Sequence, residues 1–129
     1  MPNFYIESTN TMAKNILIVD DNPNMSSLLA EMLEVFHYNA IRATDGHDAL
    51  KKIEQDDIAM VITDMRMPRM SGLELLQTIK ERKPTLPVVM ISGYSVDEVG
   101  SDIVKSRADG FLNKPFMMSD IERLLSDLL

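Results

Sequence analysis

Residues 15–36 read NILIVDDNPNMSSLLAEMLEVF, a short apolar run followed by a longer segment with helical spacing. Ile16-Leu17-Ile18-Val19 is continuously apolar, which is typical of a strand buried on both faces of a sheet. Asn22-Pro23 favours a helix start because proline is well tolerated in the first turn. Apolar residues then recur at helical spacing as far as Phe36, so the stretch predicts a buried strand followed by an amphipathic helix.

The same alternation of strand and helix continues to the end of the chain. Capping-box spacing marks helix starts at Ser71, Ser95 and Ser119, and the spacing of Ala49 and Ile53 indicates another short helix. Apolar runs predict the remaining strands, at residues 40–43, 58–62, 88–91 and 110–112.

Five strands alternating with five helices predict a parallel sheet with helices on both faces. The runs at 16–19, 58–62 and 88–91 are the most apolar and are expected at the centre of the sheet. This favours an α/β fold with a single doubly wound, five-stranded sheet of strand order 2-1-3-4-5, as in flavodoxin-like folds. Ligands of such sheets bind beyond the carboxyl ends of the strands, between strands one and three.

The bulk properties limit the classes of function. A length of 129 residues suits one domain, which we expect to span residues 14–129 behind an N-terminal extension or linker over residues 1–13. The net charge of −7 has the wrong sign for direct nucleic-acid binding. No apolar run approaches the ~20 residues of a membrane span and no signal peptide is apparent, so we expect no membrane contact. The absence of cysteine fits a cytoplasmic protein.

Several chemically active residues follow the predicted strands. Strand one ends in Asp20-Asp21, strand three in Asp64 and strand four in Ser92, and Lys114 follows the last strand. Each of these residues, taken alone, could simply be a turn residue, a helix cap or a solvated side chain. Their convergence on one edge of the sheet favours a functional site.

The expected site combines three carboxylates with one ammonium group. Three clustered carboxylates repel one another and should raise one another's pKa. A bound hard cation would relieve this repulsion. Mg²⁺ prefers oxygen ligands and commonly takes one or two carboxylates together with phosphate oxygens. The central carboxylate, Asp64, could act as a nucleophile and form an aspartyl phosphate, with Mg²⁺ and Lys114 offsetting charge and Ser92 donating a hydrogen bond.

Four segments along the chain have the form of known sequence motifs. Asp64–Gly72 (DMRMPRMSG) has the form D-x-x-M-P-x-M-x-G, and Ile16–Asn22 (ILIVDDN) is an apolar strand that ends in an acidic pair. Ser92-Gly93 has the form of a Thr/Ser-Ala/Gly pair, and Phe111–Phe116 (FLNKPF) has the form aromatic-x-x-Lys-Pro-Phe. Together these segments resemble the motifs of response-regulator receiver domains from two-component signalling, and the resemblance covers residues 14–129.

The resemblance implies a role for each site residue. Asp64 is the implied phosphoacceptor, Asp21 a direct Mg²⁺ ligand and Asp20 a ligand acting through water, with the backbone carbonyl of Arg66 as the third protein ligand. Lys114 would contact the phosphoryl group, with a cis peptide bond to Pro115.

The resemblance also implies a switch and partners. Ser92 and Phe111 form the expected switch pair, although Phe111 lacks the hydroxyl group of a tyrosine at this position. The implied donor is a phosphohistidine on a sensor histidine kinase or a histidine phosphotransfer protein, and the output passes to an effector domain or a downstream protein.

Three alternative functions fit the same residues less well. An aspartyl-phosphate phosphohydrolase would need a second carboxylate two residues after the nucleophile, where this chain has Arg66. A degenerate receiver acting only as a protein-interaction module would not need all the chemical positions filled. A flavin or nucleotide binder would need a glycine-rich phosphate loop, whereas the first loop here is acidic.

Overall fold

The computed structural model describes residues 13–67, 69–92 and 107–129. A single five-stranded sheet holds these residues together. Its strands are β1 (Asn15–Val19), β2 (Asn39–Ala43), β3 (Ile58–Asp64), β4 (Val88–Ser92) and β5 (Gly110–Asn113). The helices in the described ranges are α1 (Pro23–Val35), α2 (Gly46–Gln55), α3 (Gly72–Arg82) and α4 (Met118–Leu128).

The strand order is β2-β1-β3-β4-β5, and every neighbouring pair is parallel. The order predicted from the apolar character of the strands is therefore confirmed, with β2 at an edge and β1, β3 and β4 inside. β4 is buried along its whole length, as the continuous apolar run predicts for a central strand covered on both faces.

Alternate residues of the inner strands enter two hydrophobic cores on opposite faces of the sheet. Leu17 and Val19 of β1 pack in the core that α2 and α3 cover, whereas Ile16 and Ile18 pack in the core that α1 and α4 cover. The predicted arrangement of helices on both faces is confirmed.

Two of the helix starts predicted from capping-box spacing can be compared with the structure. The capping box predicted at Ser71 is present: the Ser71 hydroxyl accepts from Glu74 N at 3.2 Å, and Glu74 Oε1 accepts from Ser71 N at 3.4 Å. The prediction that Ser119 caps the last helix is wrong. α4 already begins at Met118, and Asp120 Oδ2 accepts from Met117 N at 2.8 Å, which leaves Ser119 inside the first turn.

The predicted helix from Ser95 to about Arg107 falls almost entirely on residues 93–106, outside the described residues. The N-terminal extension over residues 1–13 lies outside them except for Ala13, so the domain boundary at residue 14 stays a prediction. None of the helices in the part of the chain described above combines the length and apolar content needed to span a bilayer.

Candidate functional site

The carboxyl ends of the inner strands meet at one edge of the sheet, and backbone hydrogen bonds fix the loops that leave them. Asp20 N donates to Ala43 O at 3.1 Å, which ties the loop after β1 to the end of β2. Lys114 N donates to Ser92 O at 2.9 Å, which ties the loop after β5 to the last residue of β4. These bonds extend the hydrogen bonding of the sheet by one residue, to Asp20 and to Lys114. The backbone from which each of these two side chains projects is therefore fixed.

Three of the predicted side chains form an acidic cluster. One carboxylate oxygen from each of Asp20, Asp21 and Asp64 lies within 4.8 Å of the others. Asp20 is buried and Asp21 is exposed, while the side chain of Asp64 is 14% exposed. The cluster is therefore open to solvent on the side of Asp21 and closed on the side of Asp20.

The two oxygens of Asp20 have unequal surroundings. Asp20 Oδ1 accepts from Asn22 N at 2.9 Å, whereas Oδ2 is buried and has no hydrogen-bond partner among the described residues. Burial raises the pKa of Asp20 above its ordinary value. The charges of Asp64 and Asp21 act in the same direction, while the hydrogen bond from Asn22 and the charge of Lys114 oppose it. Mutual repulsion, the cause expected from the sequence, is thus a smaller contribution than burial.

This arrangement fits a hard cation. A buried carboxylate oxygen without a partner is costly unless another group satisfies it, and three clustered carboxylates supply the oxygen donors that Mg²⁺ prefers. The observation of an unsatisfied oxygen beside two further carboxylates is independent of any sequence motif.

The ammonium group of Lys114 lies beside the Asp64 carboxylate. Lys114 Nζ is 3.5 Å from Asp64 Oδ2, with 31% of the lysine side chain exposed. The peptide bond between Lys114 and Pro115 is cis, as the resemblance implied. Asp64 Oδ1 accepts from Arg66 N at 3.2 Å, so each oxygen of this carboxylate has a donor or cation beside it.

The predicted switch residues lie on adjacent strands. Phe111 of β5 is opposite Met90, and Ser92 of β4 is opposite Asn113, so the two residues are two register positions apart. Ser92 is buried, and Phe111 is partly buried against the core on the α2 and α3 face. The aromatic ring therefore has both packed and accessible surface.

Two residues close to Asp64 were not singled out from the sequence. Thr63 is fully buried, and its hydroxyl group donates to Asp64 O at 3.0 Å. Gly72 N donates to Met65 O at 3.0 Å. Gly72 stands inside a recognised motif, but nothing in the spacing indicates how closely it approaches the loop after β3.

Comparison with known proteins agrees with the fold. Residues 16–126 match the family model of the response regulator receiver domain. The chain is 34% identical over 118 residues to the chemotaxis protein CheY of Halobacterium salinarum, covering 92% of this chain and 98% of that protein. It is 42% identical over 107 residues to the nitrogen assimilation regulatory protein NtrX of Azorhizobium caulinodans, covering 81% of this chain but only 24% of that protein.

A solved structure of a response regulator is also similar to this chain. The response regulator protein TrrA of Thermotoga maritima, in complex with Mg²⁺ and BeF, has a TM-score of 0.83 and 34% identity. The alignment covers 90% of this chain and 99% of that chain. The chain belongs to the response regulator receiver domain family, and it is a phosphorylation-switched signalling domain of the two-component type.

Proposed function

We propose that Asp64 accepts a phosphoryl group in a Mg²⁺-dependent reaction, and that the donor is a phosphohistidine on a histidine kinase or phosphotransfer protein. The observation that supports this most strongly is the position of the Asp64 carboxylate, close to both the Asp20–Asp21 pair and the Lys114 ammonium group. A single nucleophilic carboxylate, flanked by oxygen donors for a cation and by a cationic side chain, suits transfer of an anionic group.

In the proposed reaction a carboxylate oxygen of Asp64 forms the new O–P bond while the P–N bond to the donor imidazole breaks. The bonding electrons leave with the imidazole nitrogen, which takes up a proton. Lys114 Nζ, at 3.5 Å from Asp64 Oδ2, would offset negative charge on the phosphoryl oxygens. The backbone N–H of Arg66 would hold the other carboxylate oxygen in place.

The metal ligands we propose are Asp21 directly, Asp20 through water, Asp64 and the backbone carbonyl of Arg66. When bound there, Mg²⁺ supplies positive charge that offsets repulsion between the carboxylates and the incoming phosphoryl group. The unsatisfied Asp20 Oδ2 supports this assignment because a metal-bound water would be a suitable donor to it.

We also propose that the chain has no turnover of a small substrate beyond its own phosphorylation and dephosphorylation. Two residues after Asp64 the chain has Arg66, and an arginine side chain cannot replace a carboxylate as a general acid or base. The acidic net charge of −7 supports protein partners rather than direct contact with nucleic acid. These would be a cytoplasmic kinase or phosphotransfer protein and an effector domain or downstream protein.

Transmission of the signal is assigned to Ser92 and Phe111. The phosphoryl oxygens would attract the Ser92 hydroxyl group, and its movement would open space that Phe111, two register positions along the adjacent strand, can fill. The change in the surface around β5 and α4 would then create or hide a partner site.

Phosphorylation by a small phosphodonor tests this proposal. Incubation with acetyl phosphate and Mg²⁺ should add the mass of one phosphoryl group to the wild type and to Asp57→Asn, whose aspartate lies at the opposite end of β3. Asp64→Asn should gain none in intact-mass measurements. Equal labelling of all three proteins would contradict the assignment of Asp64, and no labelling of the wild type would favour a degenerate receiver that acts only in binding.

A further inference from the structure

Gly72 lies unusually close to the backbone of the loop that follows β3. It is buried, it is the first residue of α3, and its N–H donates to Met65 O at 3.0 Å. A Cβ atom at this position would lie 2.8 Å from Met65 Cα and still closer to the carbonyl oxygen of Asp64. Since both of these are backbone atoms, no side-chain rotation could relieve the clash, and the loop itself would have to move.

The same carbonyl group is held from a second direction. Thr63 is fully buried, and its hydroxyl group donates to Asp64 O at 3.0 Å. The hydroxyl group also lies 4.0 Å from Met67 Sδ. The main chain of Asp64 is therefore fixed by a hydrogen bond from Thr63 and by close packing against Gly72, neither of which touches the reacting carboxylate oxygens.

The position of this main chain determines two groups of the site at once. The Asp64 carboxylate projects from it, and Arg66, whose N–H donates to Asp64 Oδ1 at 3.2 Å, follows Met65 directly. A displacement at Asp64 and Met65 would therefore move both the nucleophile and the Arg66 carbonyl relative to Asp20 and Asp21.

We propose that Gly72 and Thr63 are positioning residues, which set the Asp64 carboxylate and the Arg66 carbonyl at the distance from the Asp20–Asp21 pair that the cation requires. This inference rests on the proposed function. Groups that orient metal ligands typically change metal affinity by roughly 10–100-fold when they are altered, so the effect should be large enough to measure without any phosphoryl transfer.

Gly110 offers a matched control. A Cβ atom there would approach Leu124 Cδ2 at 2.8 Å, but that atom is the end of a flexible side chain and can move away. Gly110→Ala therefore makes the same chemical change at another close contact of the domain, at a half-buried position where the backbone need not shift.

The test compares Gly72→Ala, Gly110→Ala and the wild type by amide NMR, first without metal and then in a titration with Mg²⁺. Without metal, Gly72→Ala should shift the amides of residues 64–66 far more than Gly110→Ala does. Its dissociation constant for Mg²⁺ should rise by about tenfold or more, while that of Gly110→Ala stays at the wild-type value. A folded Gly72→Ala protein with wild-type shifts at residues 64–66 and wild-type Mg²⁺ affinity would overturn the proposal.

A second pair of variants tests the same positioning proposal if Gly72→Ala does not fold. Thr63→Val keeps the shape of the side chain but removes the donor to Asp64 O, and Thr63→Ser restores it. Weakened Mg²⁺ binding in Thr63→Val with recovery in Thr63→Ser would support the proposal, and wild-type binding in Thr63→Val would overturn it. A wild type that binds no Mg²⁺ would contradict the proposed function instead, and the metal-free shifts would still decide whether these residues position Asp64.

Discussion

Burial of the Asp20 side chain disfavours the charged form of its carboxyl group. The residue is 2% exposed, and one of its two oxygens lacks a hydrogen-bond partner in the described ranges. Burial raises the pKa of this carboxyl group, so the ionised form is less favourable in the folded protein than in the unfolded chain. The cation proposed for this site would offset that cost, so the cost should be measurable when no cation is bound.

Asp20→Asn should therefore stabilise the metal-free protein at neutral pH. Because the folded-state pKa lies above the unfolded value, the folded protein binds more protons between the two values, and stability falls as the pH rises through that window. Asparagine retains an oxygen that can accept from Asn22 N but carries no charge. Urea unfolding in the presence of a chelator should show a gain in stability at pH 7 that shrinks as the pH is lowered towards 4. A variant less stable than the wild type at pH 7 would contradict this account of Asp20.

The order of metal ligands gives a second test at the level of single residues. We expect Asp21→Ala to weaken Mg²⁺ binding more than Asp20→Ala does, since only Asp21 is proposed to touch the ion directly. Glu34→Ala, near the other end of α1, removes the same charge far from the site and should leave the affinity unchanged. Isothermal titration of the three variants measures this directly. A larger loss in Asp20→Ala would mean that the proposed roles of the two aspartates are reversed.

The helices differ in how clearly the sequence marks their first residues. Ser71 and Glu74 form the reciprocal bonds that their spacing predicts. Ser119 and Glu122 have the same spacing, yet α4 begins earlier. Met117 has the extended backbone of a cap residue, with φ −116° and ψ 167°, and Asp120 provides the acceptor that its N–H needs.

Capping energies should follow the structure rather than the sequence pattern. Ser71→Ala removes the acceptor for Glu74 N and should lower the free energy of unfolding by about 1 kcal/mol. Ser119→Ala changes an exposed residue that does not cap the helix and should have an effect within ~0.5 kcal/mol. Asp120→Ala, which removes the acceptor for Met117 N, should be the more destabilising change in α4. Denaturant unfolding of the three variants would check this ranking, and a loss in Ser119→Ala equal to that in Ser71→Ala would refute it.

The fold could be predicted from the sequence because continuous apolar runs identify buried strands, and parallel strands bring their carboxyl ends together. Asp20, Asp64 and Lys114 were predictable for this reason. Thr63 and Gly72 were not, since their proposed roles depend on distances of about 3 Å, from the Thr63 hydroxyl group to the carbonyl of the neighbouring Asp64 and from the first residue of α3 to the loop after β3. Periodicity identifies which face of an element is buried, but it does not give the separation between backbone atoms of neighbouring segments.

The site lies at the carboxyl ends of the inner strands of the sheet. β5 connects this site to the face that α2 and α3 cover. Phe111 is partly buried there. Complete burial of an exposed aromatic ring contributes ~1.5–3 kcal/mol, and a ring that is already partly buried gains only a part of this, which is enough to bias a two-state equilibrium without locking it. We expect the helix predicted from Ser95 to respond as well, around Val99, Ile103 and Lys105, but these residues lie outside the described ranges.

We expect beryllofluoride with Mg²⁺, which mimics the phosphoryl group, to shift the Phe111 ring resonances and the amides of residues 107–113. The physical reason is movement of Ser92 towards the ligand and of the ring into the space behind it. NMR spectra with and without the ligand measure this, and Asp64→Asn serves as the control that should not respond. Changes limited to the loops around Asp21, Asp64 and Lys114 would show that the domain binds the ligand without transmitting a change.

The central claim is that one carboxylate of the cluster, Asp64, receives the phosphoryl group. Borohydride reduction of the phosphorylated chain converts an aspartyl phosphate to homoserine, which peptide sequencing by mass spectrometry can locate. After treatment with acetyl phosphate and Mg²⁺, we predict homoserine at residue 64 and unchanged aspartate at residues 20 and 21. Homoserine at residue 20 or 21, with residue 64 unmodified, would contradict it.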